Sequence, residues 1–399
     1  MININDFISK QVTKRSKSMF SDDIECNSIK LTAEIENKTV LVIGGAGTIG
    51  SYFIKALLPF KPKSLIVVDI NENGLTELTR DIRSTEGLYV PEKYIAYPMS
   101  YSDCVFTKMF LNNGGFDIVA NFSAHKHVRS EKDRFSVEAL IRNNVINAKK
   151  LLDLLVEFPP QHFFCVSTDK AANPVNIMGG SKKIMEDMIM SYSHKYPVTT
   201  ARFANVAFSN GSLPAGFLSR IQCKQPISAP SDVTRYFVSP QESGQICLLA
   251  CILGKTGEIF FPKLRKEQVM TFSDIATKLL NEIGYELDYC QSDQEAIEKA
   301  KTDFVKYPVH FSVSDTTGEK PYEEFFTDEE KVNQDLYKAL GVISDLKIKS
   351  ISEIDVLLDK FETAFERQET TKADVVKIMK EFLVAFYHVE LEKTLDSKM

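Results

Sequence analysis

From Lys38 onward the chain alternates continuous apolar runs with stretches whose apolar positions recur every three to four residues. KTVLVIG, SLIVVDI, YIAYPM, DIVANFSA, HFFCVSTD and TTARFANV read as strands. TIGSYFIKALL, LTELTRDIRS, SVEALIRNNVINAKKLLDLL and SKKIMEDMIMSYSHK fall between or beside them and read as helices. Buried parallel strands carry unbroken apolar runs, and crossover helices carry one apolar face. The pattern therefore predicts an α/β fold with a doubly wound parallel sheet over residues 37–212. Residues 1–36 form a polar arm with scattered apolar anchors at Phe7, Ile8, Phe20, Ile24 and Leu31. After about residue 212 the regularity weakens. Segments 213–238 and 284–330 are assigned to a smaller α/β substrate domain. Residues 239–283 return to the first domain, with EIFFP (258–262) as a further sheet strand. Residues 331–399 are expected to be a helical extension. In it, apolar positions 375, 376, 379, 382, 383 and 386 make one stripe at helical spacing, expected to pack on the chain's own domain.

Composition narrows the classes. The 399 residues are 44% apolar and carry a net charge of −6, which fits an ordinary globular enzyme and disfavours nucleic acid as a partner. The seven cysteines are dispersed, and Cys247 and Cys251 lack the second ligand pair of a zinc site, so no metal is expected. The N-terminal stretch has no long apolar core of a secretory leader, and no run reaches the length of a membrane span. A soluble cytoplasmic location is the expectation.

The first strand runs into GGAGTIGS, with Gly44, Gly47 and Gly50 at G-x-x-G-x-x-G spacing before a helix that opens at Thr48 and Ile49. A backbone free of side chains there can approach a pyrophosphate, and the helix start supplies N–H donors and a favourable dipole. Glycine trios also occur in plain tight turns. Here, however, the second strand ends in Asp69, 19 residues after Gly50, where a carboxylate can accept from both ribose hydroxyls. The same carboxylate repels a 2′-phosphate, and no arginine follows it, so NAD is preferred over NADP. Ser100 and Tyr101 are candidates for the adenine pocket. Phe122, Ser123 and Ala124 are expected to pass beneath the ribose, or simply to pack at a strand end. The whole is the pattern of a Rossmann domain.

Beyond the fifth strand comes STDKAANPVNIMGGSKK. Together with GGAGTIG, AHKHV, RFANV, TRYF and GEKPYEE, in this order, it resembles the polysaccharide-biosynthesis branch of the extended short-chain dehydrogenases. Within that branch it is most similar to the UDP-N-acetylglucosamine 4,6-dehydratases, over about residues 37–326. Most of the superfamily carries Tyr-x-x-x-Lys on one helical face, where the lysine holds the nicotinamide ribose and lowers the tyrosine's pKa. The lysine here is Lys182, but the tyrosine position is Met178, which cannot exchange a proton. The resemblance includes active members with methionine there, of the type that retains configuration at C5.

The resemblance implies a general acid at Asp169, a C5 base at Lys170, and Thr168 hydrogen-bonding near O4 of the sugar. That pairing requires a protonated carboxyl beside a neutral amine, hence burial or strong coupling. It also implies substrate contacts. Arg235 would reach the nucleotide diphosphate, Asn205 would line the sugar-phosphate path, Asn176 would lie by the catalytic turn, and Lys126 by the sugar. Glu319 and Lys320 match the family's GEK element, but Thr316-Thr317 stand where an arginine is usual. Glu323 and Glu324 read as a solvated helix start. His125 and His127 have no third ligand. The resemblance further implies pairing into a homodimer or higher homo-oligomer through helices 135–156 and 179–195, the alternative being that their apolar faces are wholly internal. Two rivals stay open: a nucleotide-sugar C4 epimerase on the same fold, and a non-catalytic NAD-binding sensor.

Overall fold

A computed structural model of the chain describes residues 2–127, 131–302, 304–314, 320 and 322–388. Six apolar runs form parallel strands: β1 (Thr39–Ile43), β2 (Ser64–Asp69), β3 (Lys93–Pro98), β4 (Ile118–Asn121), β5 (His162–Val166) and β6 (Val198–Ala201). Their spatial order is β3-β2-β1-β4-β5-β6, all parallel. The order reverses between β1 and β4. In an open parallel sheet the crevice at the carboxyl ends of these strands is where a ligand fits.

Later segments divide. β7 (Asn205–Val206), β8 (Ile227–Pro230) and β9 (Thr234–Val238) leave the sheet, while β10 (Glu258–Pro262) returns to lie parallel to β6. β11 (Val269–Thr271) pairs with β9, and β12 (Glu286–Tyr289) and β13 (Lys306–Ser312) join β8. A second apolar core lies here. It gathers Phe217, Ile227, Phe237, Tyr307 and the apolar face of helix Phe272–Ile283, so residues 269–283 pack with the small sheets. Phe7, Ile8 and Val12 of the N-terminal arm insert into this second core, while Phe20 and Leu31 enter the first.

The start of the segment from 331 differs from the expected helical extension, whose helices begin only at 351. β14 (Lys331–Asn333) and β15 (Leu340–Ser344) are strands; β15 runs antiparallel to β10 and β14 antiparallel to β15, which completes a sheet of nine strands among the described residues. LGVIS is a short run without helical periodicity, and the open edge of β10 offers it a full ladder of hydrogen bonds. Among the described residues of this segment the helices are α1 (Ile351–Glu366) and α2 (Lys372–Phe382). Both pack on their own chain. Arg142 donates to Glu362 at 3.0 Å, Lys149 pairs with Asp355 at 3.2 Å, and Lys372 Nζ donates to the Glu131 carbonyl at 2.9 Å. Among the described residues no helix is long and apolar enough to cross a membrane.

Candidate active site

The glycine turn comes first along the chain. Gly44 sits at φ +75°, and a Cβ there would lie 2.7 Å from the Ser123 amide nitrogen. The turn and the 122–123 strand end are thus in direct backbone contact. The Phe122 ring lies tilted against those of Phe53 and Phe164, with centroids 5.0 and 5.8 Å away. Gly50 lies against the turn itself, where an added Cβ would fall 2.4 Å from the Gly44 carbonyl oxygen. Helix Thr48–Leu57 starts at Gly47 with no side chain capping it, so its first amides stay available to an anion. Ile49 packs against the large core, and Thr48 Oγ1 accepts from the Asn210 amide at 3.0 Å.

Asp69 is held by two amides, its Oδ2 accepting from Ala46 and its Oδ1 from Asn71, both at 2.9 Å. This fixes the carboxylate at the end of β2 beside the glycine turn. A dinucleotide fits the arrangement: a side-chain-free turn for the pyrophosphate, uncapped amides and an anchored acid. Ser100 bonds to Ser102 at the surface, while Tyr101 is drawn into the core, its hydroxyl donating to the Asn143 carbonyl at 2.8 Å. Forcing a methyl into a packed backbone contact costs about 1–3 kcal/mol. Gly50→Ala is therefore expected to weaken dinucleotide affinity at least about tenfold while the melting transition stays cooperative, a result read by calorimetric titration.

The second half of the site follows β5. Asp169–Ala171 form a single 3-10 turn, with Thr168 Oγ1 donating to Asp169 Oδ1 at 2.8 Å and Lys170 Nζ donating to the same oxygen at 3.1 Å. Asp169 is almost fully buried. Lys170 faces a second carboxylate as well, Glu323 Oε1 at 3.6 Å, and Glu323 Oε1 lies 3.8 Å from Arg235 Nη2. Burial works against the Lys170 ammonium, yet Asp169 and Glu323 together raise its pKa above the ordinary lysine value. Burial raises Glu323, against the pull of Lys170 and Arg235. Expectation and structure part here: Glu323 is no solvated helix start but a buried member of the site. Its neighbour Glu324 does face outward, accepting from Asn173 Nδ2 at 2.8 Å.

Helix Ile177–Ser191 carries Met178 and Lys182. Asn176 is its N-cap, accepting from the Gly179 amide at 2.7 Å, which gives this buried residue a structural task beside the catalytic turn. Glu131 takes the amides of Ile177 and Met178 at 3.0 and 2.8 Å. Lys182 is buried, donates to the Val166 carbonyl at 2.6 Å, and has its pKa lowered by desolvation. Met178, Lys182 and Glu186 fall four residues apart on one inward face.

Glu186 anchors the site floor. The guanidinium of Arg202, wholly buried, bonds both Glu186 oxygens at 2.9 and 2.7 Å and both Glu330 oxygens at 2.8 Å. It also donates to the Phe325 carbonyl at 3.0 Å, and Ser167 Oγ donates to Glu186 at 2.5 Å. This cluster ties the 323–330 segment to the ends of β5 and β6, and so delivers Glu323 to Lys170. Sequence reading missed Arg202, Glu186 and Glu131. A signal for the first existed, since an arginine directly after the buried strand TTA must find carboxylates.

The expected substrate residues are placed as follows. Arg235 on β9 is buried, and its Nη1 donates to the Lys320 and Thr234 carbonyls at 2.9 Å. Asn205 starts β7. Lys126 is at the crevice mouth, donating to the Asn210 carbonyl at 2.9 Å, next to half-buried Ala124. Glu319 lies outside the described residues.

The family model described as polysaccharide biosynthesis protein matches residues 40–344. The chain is 29% identical over 353 residues to the uncharacterized membrane protein MJ1061 of Methanocaldococcus jannaschii, covering 87% of this chain and 96% of that one. It is 27% identical to the capsular polysaccharide biosynthesis protein CapD of Staphylococcus aureus, covering 88% of this chain but 55% of the relative. It thus spans about half the length of that protein. Among solved structures, Pen from Bacillus thuringiensis superposes with a TM-score of 0.64 at 21% identity, over 82% of this chain and 98% of that one, which shows the fold. Partial matches point to two reactions. A UDP-glucose 4-epimerase of Rickettsia typhi is 28% identical over 62% of this chain and 71% of its own. A UDP-N-acetylglucosamine 4,6-dehydratase (inverting) of Campylobacter jejuni is 25% identical over 57% and 67%.

Proposed function

Because the chain belongs to the polysaccharide biosynthesis protein family, we propose that it is an NAD-dependent nucleotide-sugar 4,6-dehydratase. Its substrate is UDP-N-acetylglucosamine and its product the 4-keto-6-deoxy-N-acetylhexosamine, made with retention at C5 for bacterial surface glycans. One observation carries the reading: a buried carboxyl, Asp169, in hydrogen-bond contact with a partly buried amine, Lys170, at the carboxyl end of the sheet. Elimination after oxidation needs an acid for the C6 hydroxyl and a base for the C5 proton, two tasks that inversion at C4 does not include.

In this reading the glycine turn and the amides of Thr48, Ile49 and Gly50 would hold the pyrophosphate, Asp69 the adenosine ribose and Lys182 the nicotinamide ribose. When bound, NAD supplies a reversible two-electron exchange, in which a hydride leaves C4 of the sugar and is later delivered to C6. Lys170 takes the C5 proton made acidic by the C4 ketone. The O4 proton passes by way of the Thr168 hydroxyl to Asp169, which gives it to the departing C6 hydroxyl, and that group leaves as water. Thr168, hydrogen-bonded to Asp169, fixes that carboxyl and faces the O4 side. Met178 contributes its amide to Glu131 and a buried thioether, and takes no proton. Arg235 and Lys320 supply the positive charge for the diphosphate, with Asn205, Asn176 and Lys126 along the sugar path.

The test is incubation with UDP-N-acetylglucosamine in D2O, followed by NMR of the product. The expected outcome is a 4-keto-6-deoxy sugar with deuterium at C5 and unchanged C5 configuration. Conversion to the C4 epimer without loss of water would replace this reading with that of an epimerase, the activity named for the Rickettsia relative.

A further inference from the structure

We propose that Glu323 is a positioning residue that takes up the proton of Lys170, and so turns the ammonium into the neutral amine the C5 step requires. The inference rests on the reading of Lys170 as the C5 base. Geometry carries it. Glu323 is a nearly buried carboxyl whose Oε1 lies 3.6 Å from Lys170 Nζ and 3.8 Å from Arg235 Nη2. Its other oxygen, Oε2, is buried with no hydrogen-bond partner among the described residues. Buried carboxylate oxygens are almost always satisfied, and an orphan one in a reaction site is a ready place for a proton.

The groups facing this pair are few. Asp169 meets Lys170 from the turn after β5, Arg235 faces Glu323 from β9, and Lys320 lies on the same segment as Glu323. Flanked by two carboxylates, Lys170 holds its proton more firmly than an ordinary lysine. A base that begins as ammonium must first give that proton away, and Asp169 is committed as the acid toward C6. Transfer to Glu323 breaks one N–H bond of Lys170 and forms one O–H bond on the carboxyl. It frees the nitrogen lone pair that then takes the C5 proton. The exchange turns two buried charges into two neutral groups, which burial favours. When Lys170 has handed a proton back to C5, the carboxyl proton returns to the amine and the pair is as it began.

The experiment compares Glu323→Gln with the wild type, measuring kcat, KM and deuterium wash-in at C5 between about pH 6 and about pH 9. Glutamine keeps the shape but accepts no proton, so the variant must lose the Lys170 proton to solvent. The expected result is a kcat ratio of variant to wild type that rises at least about tenfold across that range, with KM little changed. Glu323→Asp should restore part of the activity at the low-pH end. A ratio that is constant with pH, or an effect confined to KM, overturns the proposal and leaves Glu323 as a packing or binding residue. Failure of the underlying reading looks different: Lys170→Met would still exchange the C5 proton, whatever the Glu323 variants do.

Discussion

Asp169→Asn is expected to lower dehydration by about 10²–10⁴-fold, the usual contribution of a general acid, while nucleotide and dinucleotide affinities stay close to those of the wild type. Asparagine preserves the acceptor that Thr168 Oγ1 and Lys170 Nζ both use, so the turn after β5 keeps its shape. What is lost is the proton for the C6 hydroxyl. Turnover followed by NMR, with calorimetric titration of each ligand, separates chemistry from binding. An epimerase would keep inverting C4 in this variant, and a sensor would lose nothing. Either result removes the dehydratase reading.

The second large effect is on stability. Arg202→Ala should destabilise the chain by about 3–5 kcal/mol, the cost of leaving a buried carboxylate without its cation. Arg202 carries two bidentate contacts at once, to Glu186 and Glu330, and holds the Phe325 carbonyl. Opposing charges keep Glu186 below its ordinary pKa despite full burial, so both partners are charged at neutral pH and neither tolerates the loss. Denaturant unfolding measures the change. Adding Glu186→Gln to the Arg202 variant should recover part of it, because the stranded charge is then removed. A loss below about 1 kcal/mol would show that the segment 323–330 is held by its apolar contacts instead.

The sequence made the parallel sheet and the glycine turn readable because both are local. Strands β1 to β6 are unbroken apolar runs, and Gly44, Gly50 and Asp69 lie within a single βαβ unit. The Thr168–Lys170 turn was legible for another reason, the resemblance carried by the run STDKAANPVNIMGGSKK. Glu323 was not, since what buries it arrives from far away: Lys170, Arg235 and, through Phe325 and Glu330, Arg202. In isolation KPYEEFF looks like an acidic surface turn. β14 and β15 were hidden in a similar way. KVN and LGVIS are too short to declare a period, and only the free edge of β10 makes them strands.

Gly180, two residues after Met178, is sealed by the C-terminal segment: an added Cβ would meet Met379 Cε at 2.4 Å and the Phe386 ring at 3.1 Å. Arg142 and Lys149 are tied to the same segment through Glu362 and Asp355. The cover over the helix bearing Met178 and Lys182 therefore belongs to the same chain, and its contact is intramolecular. Mass action, which empties an intersubunit contact as protein is diluted, has no hold on it. Specific activity should stay constant from micromolar to nanomolar enzyme, as far as this helix governs it.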